Sequence, residues 1–290
     1  MQQEQLFGFL NVYKPKGITS HDVVARMRKI TKIKQIGHTG TLDPFAEGVL
    51  PVCIGKSTRL IEYLADDKEY VATLKFGIAT DSYDIDGAII KTSDKKVTMQ
   101  EVLNALPKFR GEILQMPPIY SAIKVKGKKL YEYARAGEDV KIEPRKVFIE
   151  KLELQNFNEE EQVAEILVKC SKGTYIRSIA NDLGELIGGC AHLIKLVRTQ
   201  AGRFNVVDSI RLDDFQAVDD VVSALINPLD VLNYPVIVVN NEELVKIKNG
   251  MAIANKNNTS LNEVVILVYN DIISAVGVAS EDKILIKKVF

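Results

Sequence analysis

Gly37-His38-Thr39-Gly40-Thr41-Leu42-Asp43-Pro44-Phe45-Ala46-Glu47-Gly48 packs three glycines, one histidine and two carboxylates into twelve residues, ahead of the apolar run Val49-Leu50-Pro51-Val52-Cys53-Ile54. Glycine tolerates positive φ and lets the backbone approach a ligand closely. Pro44 disfavours the α region at the residue before it, which predicts Asp43 on an extended, stiff turn. A rigid loop presenting one aimed acid is the support a reactive carboxylate needs. Composition alone leaves open an ordinary Gly/Asp/Pro connection between a helix and a strand.

Upstream of this loop, residues 8–13 read as a strand ended by the turn signal Lys14-Pro15-Lys16-Gly17. Thr19 or Ser20 can cap a helix over about 22–32, with Val23, Val24, Met27 and Ile30 on one face and Arg26, Arg28 and Lys29 on the other. Downstream, the pattern predicts a short helix over 57–64, a strand over 70–76, a polar loop over 81–87 and an extended run over 88–91. Thr98-Met99-Gln100-Glu101 is a capping box before a helix that Pro107 ends. Residues 115–146 are polar, basic and tyrosine-bearing, and read as a protruding insertion. Paired strands follow at 147–154 and 164–170, then a helix capped by Thr174, running to about 187 and closed by Gly188-Gly189. A linker with Asn227-Pro228 and Asn233-Tyr234-Pro235 leads to a small β-rich segment, with strands at 236–239, 264–269, 272–278 and 284–289 and a helix near 242–248.

The 290-residue length suits one large domain plus a small one, at roughly 150 residues per domain. Net charge is zero, from 38 basic and 38 acidic residues, but the two signs are segregated. Ten Lys/Arg face five Asp/Glu between Lys108 and Lys146, whereas six Asp and a single Arg lie between Asn205 and Val231. A local positive face is therefore compatible with the neutral total. No apolar run approaches the roughly 20 residues of a membrane span, and the start, Met1-Gln2-Gln3-Glu4-Gln5, lacks a secretory pattern. Cys53, Cys170 and Cys190 are far apart, which predicts no disulfides and a reducing, cytoplasmic setting. Cys190-Ala191-His192 matches no common zinc spacing and reads as core filling.

Several chemistries fail at named positions. Ile54-Gly55-Lys56-Ser57-Thr58 imitates the end of a P-loop, but the glycine required five residues before Gly55 is Leu50. No G-x-G dinucleotide fingerprint and no G-x-S-x-G elbow occurs. Ser171-Lys172-Gly173-Thr174-Tyr175-Ile176-Arg177 follows a strand and opens a helix. A cation gains nothing from the dipole at a helix start. Arg177 is thus either a surface arginine or the partner that keeps a buried carboxylate ionised. Lys124, Lys126, Lys128 and Lys129 interleave with Tyr120, Tyr131 and Tyr133, a mixture suited to phosphate contacts and base stacking as well as to a solvated hairpin.

The 37–48 loop with Gly48-Val49-Leu50-Pro51 resembles the central motif of the TruB-type tRNA pseudouridine synthases. Asn11-Val12-Tyr13-Lys14-Pro15 is similar to that family's first motif, Lys68-Glu69-Tyr70 to its tyrosine motif and Cys170 to Arg177 to its arginine motif. His192-Leu193-Ile194-Lys195-Leu196-Val197-Arg198-Thr199 resembles, more loosely, the stretch that follows. The resemblance implies an α+β pseudouridine synthase fold, with a mixed, largely antiparallel sheet flanked by helices and loops. It places the catalytic domain at 1–230, with an RNA-clamping thumb at about 115–146, and a small PUA-like RNA-binding domain at 231–290.

The same resemblance implies isomerisation of uridine 55 in the T-loop of tRNA, without cofactor or metal. Asp43 would be the nucleophile, attacking either the ribose C1′ or the base. Arg177 would keep it ionised, and Tyr70 would stack on the base and later accept the C5 proton. Leu196 would close the apolar side of the pocket and Lys14 would lie beneath the loop, with Gly37 and Tyr175 also on the substrate side. The uridine must be extruded from its folded loop, and His38 would fill the vacated space. Lys124, Lys126, Lys128 and Lys129 would grip the T-arm stem-loop. The expected partner is tRNA alone, bound by a monomer with no obligatory protein partner and no membrane. Glu47 carries no inherited role and reads as solvated or loop-capping. Two rivals stand beside this reading: a guide-dependent RNA pseudouridylation subunit, and a tRNA-binding or chaperone protein with secondary catalysis.

Overall fold

The chain enters through β1 (Gly8–Lys14), whose side chains alternate between two buried faces of one large sheet, and turns into α1 (Ser20–Thr31). The computed structural model describes residues 6–256 and 259–290, so the expectation for residues 1–5 lies outside it. Thr19 caps α1, accepting from Asp22 N–H while the Asp22 carboxylate accepts from Thr19 N–H, and Val23, Val24 and Met27 form the buried stripe. Then come β2 (Ile36–His38), β3 (Glu47–Ile54), a 3-10 stretch over Gly55–Tyr63 and β4 (Lys68–Phe76). A hairpin of β5 (Ile78–Thr80) and β6 (Ile89–Thr92) precedes α2 (Met99–Ala105) and β7 (Gly111–Gln115).

The excursion between β7 and the next long strand holds a small hairpin, β8 (Lys124–Val125) and β9 (Lys128–Lys129), and α3 (Leu130–Ala136). That helix is absent from the sequence expectation; its one fully buried side chain, Leu130, gives too short a stripe to show a helical period. β10 (Arg145–Asn158), β11 (Val163–Cys170), α4 (Ile176–Leu186), β12 (Ala191–Ala201), β13 (Phe204–Asn205) and β14 (Ile210–Arg211) complete the main layer. α5 (Val218–Ser223) and α6 (Pro228–Val231) lead to β15 (Val236–Val238), α7 (Asn241–Lys248), β16 (Ile253–Ala254), β17 (Val264–Tyr269), β18 (Ile272–Ala279) and β19 (Lys283–Val289).

Ten strands form the main sheet, ordered β14-β1-β3-β12-β4-β11-β10-β7, with β2 on β3 and β13 on β12. Only β1/β14 and β3/β12 pair in parallel within it, so the sheet is mixed and largely antiparallel, as the resemblance implied. β12 sits at its centre, beside both β3 and β4. Register shifts at Leu193/Lys195 and at Arg198/Gln200 break its period-two alternation, which is why residues 191–201 do not read as a strand. α4 lies directly against the start of β12, where a Cβ at Gly184 would come within 2.3 Å of Ala191 N. Tyr175, not Thr174, is its N-cap residue; the Thr174 hydroxyl donates instead to Ser171 O at 2.9 Å.

β15–β19 form a separate five-stranded sheet, the small β-rich domain expected at the C-terminus. It is joined to the main sheet by a shared apolar layer: Phe9, Val49, Cys53, Leu60 and Phe204 on one side, Ile266, Val268, Ile273 and Val276 on the other. Arg59 adds a bond to Val289 O at 2.6 Å and stacks over Phe290. The three cysteines are free and buried, and His192 Nδ1 meets Ile78 O at 3.0 Å. Among the described residues no helix is long and apolar enough to cross a membrane.

Candidate active site

The loop between β2 and β3 is braced by side chains from three other segments. Ser20, at the start of α1, accepts from Leu42 N–H at 2.8 Å and donates to Leu42 O at 3.0 Å. Arg198, from the centre of β12, donates through Nε to Val49 O at 2.6 Å and through Nη2 to Gly40 O at 3.1 Å. Lys14, at the end of β1, is fully buried and donates to Pro15 O at 2.9 Å, Ile18 O at 2.7 Å and Pro44 O at 3.4 Å. Burial pulls the Lys14 ammonium down to about 8, against the raising effect of Asp43 and Glu47. Gly48 has φ +106°, and any Cβ there would strike the Arg198 backbone, 2.3 Å from its carbonyl oxygen. The stiff turn expected around Asp43 is thus a product of long-range contacts as much as of Pro44.

Asp43 faces Arg177 in a cavity of about 460 Å³. Arg177 Nε lies 3.0 Å from Asp43 Oδ2, and its Nη1 lies 3.2 Å from Asp84 Oδ2. The remaining guanidinium bonds go to Ser82 O at 3.1 Å and Tyr120 O at 2.9 Å. Every nitrogen of this buried cation is therefore committed, which fixes the plane in which it meets Asp43. The Asp43 side chain keeps 35% exposure, whereas Asp84 keeps 7%. Burial pushes the Asp84 carboxyl above its usual range, opposed by the Ser82 hydroxyl and by Arg177.

Tyr70, Leu196 and Tyr175 line the same cavity, with Thr39 to Leu42 on the loop side. Burial raises the Tyr70 phenol above its ordinary value, although the adjacent Arg198 charge works the other way. The phenol is therefore protonated at neutral pH. Tyr175 is held at the cavity edge by Gln115, which accepts from Tyr175 N–H at 2.8 Å and donates to its carbonyl at 3.0 Å.

Asp43, Tyr70, Arg177, Tyr175 and Leu196 thus converge, although they come from four distant stretches of chain. Gly37 and His38 lie on β2, outside this cavity wall. His38 is half-buried, its Nδ1 has no hydrogen-bond partner, and burial with the Arg198 and His21 charges lowers its pKa. Lys14 lies under the loop and does not touch the cavity. Lys124 and Lys126 are exposed in the excursion, but Lys128 is ion-paired to Glu138 at 2.8 Å and Lys129 donates to the Tyr131 hydroxyl at 3.2 Å. Glu47 begins β3, 3.9 Å from Lys195 Nζ.

Asp84 and Arg198 have no role in the sequence reading. Asp84 is one of three aspartates in a stretch that looks solvated, and only the sheet carries it to Arg177. Arg198 left a weaker signal: a charge directly after the apolar Leu196-Val197 is either exposed or structural, and without a legible strand the sequence does not decide which.

Residues 28–176 match the TruB family pseudouridylate synthase N-terminal domain, and residues 177–232 match the tRNA pseudouridylate synthase B C-terminal domain. A tRNA pseudouridine synthase B of Caldanaerobacter subterraneus subsp. tengcongensis is 42% identical over 98% of this chain and 99% of its own. One of Clostridium tetani is 48% identical over 71% of this chain and 72% of its own. A solved H/ACA RNP bound to a substrate RNA containing 2′-deoxyuridine includes a chain of the same fold, with TM-score 0.72 at 24% identity, covering 99% of this chain and 86% of that one. The cavity residues lie within the matched stretches, and the chain belongs to the TruB family of pseudouridylate synthases.

Proposed function

We propose that this protein isomerises uridine 55 in the T-loop of tRNA to pseudouridine, with Asp43 as nucleophile. The observation that carries the reading is the Asp43–Arg177 pair, set in a cavity walled by Tyr70 and Leu196. The name shared by its sequence relatives supports tRNA as the substrate. About 460 Å³ is within the range of small-ligand pockets, roughly 300–1,000 Å³, and suits one extruded nucleoside.

The chemistry balances internally. The N1–C1′ bond breaks, a C5–C1′ bond forms, C5 loses a proton and N1 gains one, with no net oxidation. Asp43 supplies the electron pair, at C1′ or at the base, while Arg177 holds the attacking oxygen in place. Asp84 is a positioning residue that fixes Arg177 from behind. Tyr70 stacks on the uracil; since its phenol starts protonated, it must release that proton before it can take the one from C5. Leu196 closes the apolar side, His38 fills the space left in the T-loop, and Gly37 and Tyr175 flank the RNA. Residues 1–230 act as the catalytic domain. The excursion at about 115–146 clamps the arm through its lysines, and residues 231–290 form a PUA-like second RNA contact. The enzyme works as a cytoplasmic monomer, without cofactor, metal or guide.

Pseudouridine and uridine have equal mass, so the test is mass-spectrometric mapping after pseudouridine-selective derivatisation. The wild type should convert a bare T-arm hairpin, and Asp43→Asn should lose turnover by about four powers of ten or more while still binding it. Turnover retained by Asp43→Asn removes the nucleophile assignment; a requirement for an added guide RNA removes autonomous recognition.

A further inference from the structure

Three cations line the catalytic cavity: Lys68, Lys172 and Arg177. Arg177 is committed to two carboxylates and two carbonyls. Lys172 is 74% exposed and paired with Asp66 at 2.6 Å. Lys68 differs from both. It is half-buried, and among the described residues its Nζ has one hydrogen-bond partner, Asp66 O at 3.0 Å, and no carboxylate. An ammonium carries three donors, so two are left for the cavity.

Lys68 stands two residues before Tyr70 on β4, so both side chains leave the same face of the sheet, about 7 Å apart along the strand. It also lines a second, smaller cavity of about 200 Å³ with Thr39, Lys172 and Arg203, so with Thr39 and Lys172 it borders both spaces. A base stacked on Tyr70 would carry its sugar-phosphate backbone within reach of a lysine two residues along the same strand face. The groups facing Lys68 are Arg198 from β12, Cys170 from β11, Asp66 and Asp67 from the preceding turn, and Lys172 across the wall. Burial and Arg198 outweigh the two aspartates and lower the Lys68 pKa, so the resting site holds too little negative charge for this cation.

We propose that Lys68 binds a phosphodiester flanking the nucleotide that enters the cavity, an assignment that rests on the RNA uridine reading above. The phosphate supplies the anion that the protein withholds, and the contact sets the depth at which the base meets Tyr70.

The experiment uses T-arm hairpins with a neutral methylphosphonate placed in turn at the phosphates 5′ and 3′ of the target uridine. Wild type should lose roughly 10-fold or more in half-saturation at one of these positions, with a smaller change in limiting rate. Lys68→Met should show the same loss on the unmodified hairpin and no further loss on the sensitive methylphosphonate. Lys68→Arg should restore the wild-type pattern, and its affinity should stay flat where that of the wild type weakens with rising pH. Additive losses at both positions, or a Lys68→Met variant with unchanged half-saturation, overturn the proposal. The comparison of wild type with Lys68→Arg keeps it testable should Lys68→Met fold poorly. A wild type that leaves the hairpin uridine unconverted fails earlier, and takes the functional reading down with it.

Discussion

The Asp43 loop and the excursion between β7 and β10 are both irregular and both border the catalytic cavity, yet they are held in opposite ways. The loop is tied by Ser20, Arg198 and Lys14, three side chains from elements far apart in sequence. The excursion is fastened to the body at its base, through Gln115 to Tyr175, Ser178 Oγ to Met116 O at 2.7 Å, Arg177 to Tyr120 O and the Tyr120 hydroxyl to Asp81 Oδ2 at 3.4 Å. Beyond that its bonds are local, such as Tyr131 N to Ser121 O at 3.1 Å and the Tyr133 hydroxyl to Val125 O at 3.0 Å. The nucleophile proposed on the loop must be presented within a fraction of an ångström, and long-range bracing delivers that. A surface proposed to close on a large RNA must be able to yield, and local bonding leaves the excursion that freedom.

After the loss of Asp43 itself, the largest effect should come from removing the cation between the two carboxylates. Arg177→Met leaves Asp84 buried without its partner, a cost of about 3–5 kcal/mol of stability, and frees Asp43 from the cation that holds it at 3.0 Å. Turnover should drop by about 10² or more, measured at a temperature where circular dichroism still shows a folded protein. Asp84→Asn keeps the shape but removes the charge behind Arg177, and should lower kcat more than it raises KM. Equal kcat in Asp84→Asn and wild type would show that Arg177 needs no support from behind.

Arg198 tests the brace itself. Arg198→Met strips the donors from Val49 O and Gly40 O and should cost about 3 kcal/mol or more, read as a lowered Tm. The loop should then behave like the excursion: proteolysis near residues 39–46 should quicken and kcat should fall. Unchanged Tm and kcat would break the contrast between the two regions. Lys14 contributes through pH. Its folded pKa of about 8 lies below its ordinary 10.5, so the unfolded chain binds more protons between these values. Its stabilising contribution is complete above about 10.5 and is lost as pH falls through about 8. Denaturant titrations should show wild type gaining up to about 3 kcal/mol over Lys14→Met across that window as pH rises. A constant difference would mean that Lys14 stays charged when buried.

The parts of this architecture legible in the sequence are those encoded locally. Thr19 with Asp22 and Thr98 with Glu101 are capping pairs three residues apart, and both form. Asp43 before Pro44 is a local statement about backbone, and Lys68-Glu69-Tyr70 a local motif. The bracing residues are legible only as oddities, because what Arg198 or Asp84 touches is set by sheet register. β12 shows the same limit: two register shifts turn a strand that is buried on both sides into a run without period. α3 fails for the opposite reason, since seven residues with a single buried side chain offer too little pattern.

The smallest predicted effect separates the four lysines of the excursion. Neutralising any of them flattens the salt dependence of RNA binding by at most about 0.9 in the log–log slope per lost phosphate contact. Lys124 and Lys126 are exposed and free of carboxylates among the described residues, so Lys124→Gln and Lys126→Gln should each approach that limit. Lys128 already faces Glu138 at 2.8 Å and lies over the Tyr133 ring, 4.6 Å from its centroid. To reach a phosphate it must leave both, so Lys128→Gln should change the slope by clearly less. The double variant Lys128→Gln/Glu138→Gln decides why: a slope equal to that of Glu138→Gln alone makes Lys128 a strut for the hairpin. A further flattening makes it a contact that the excursion exposes only when it closes.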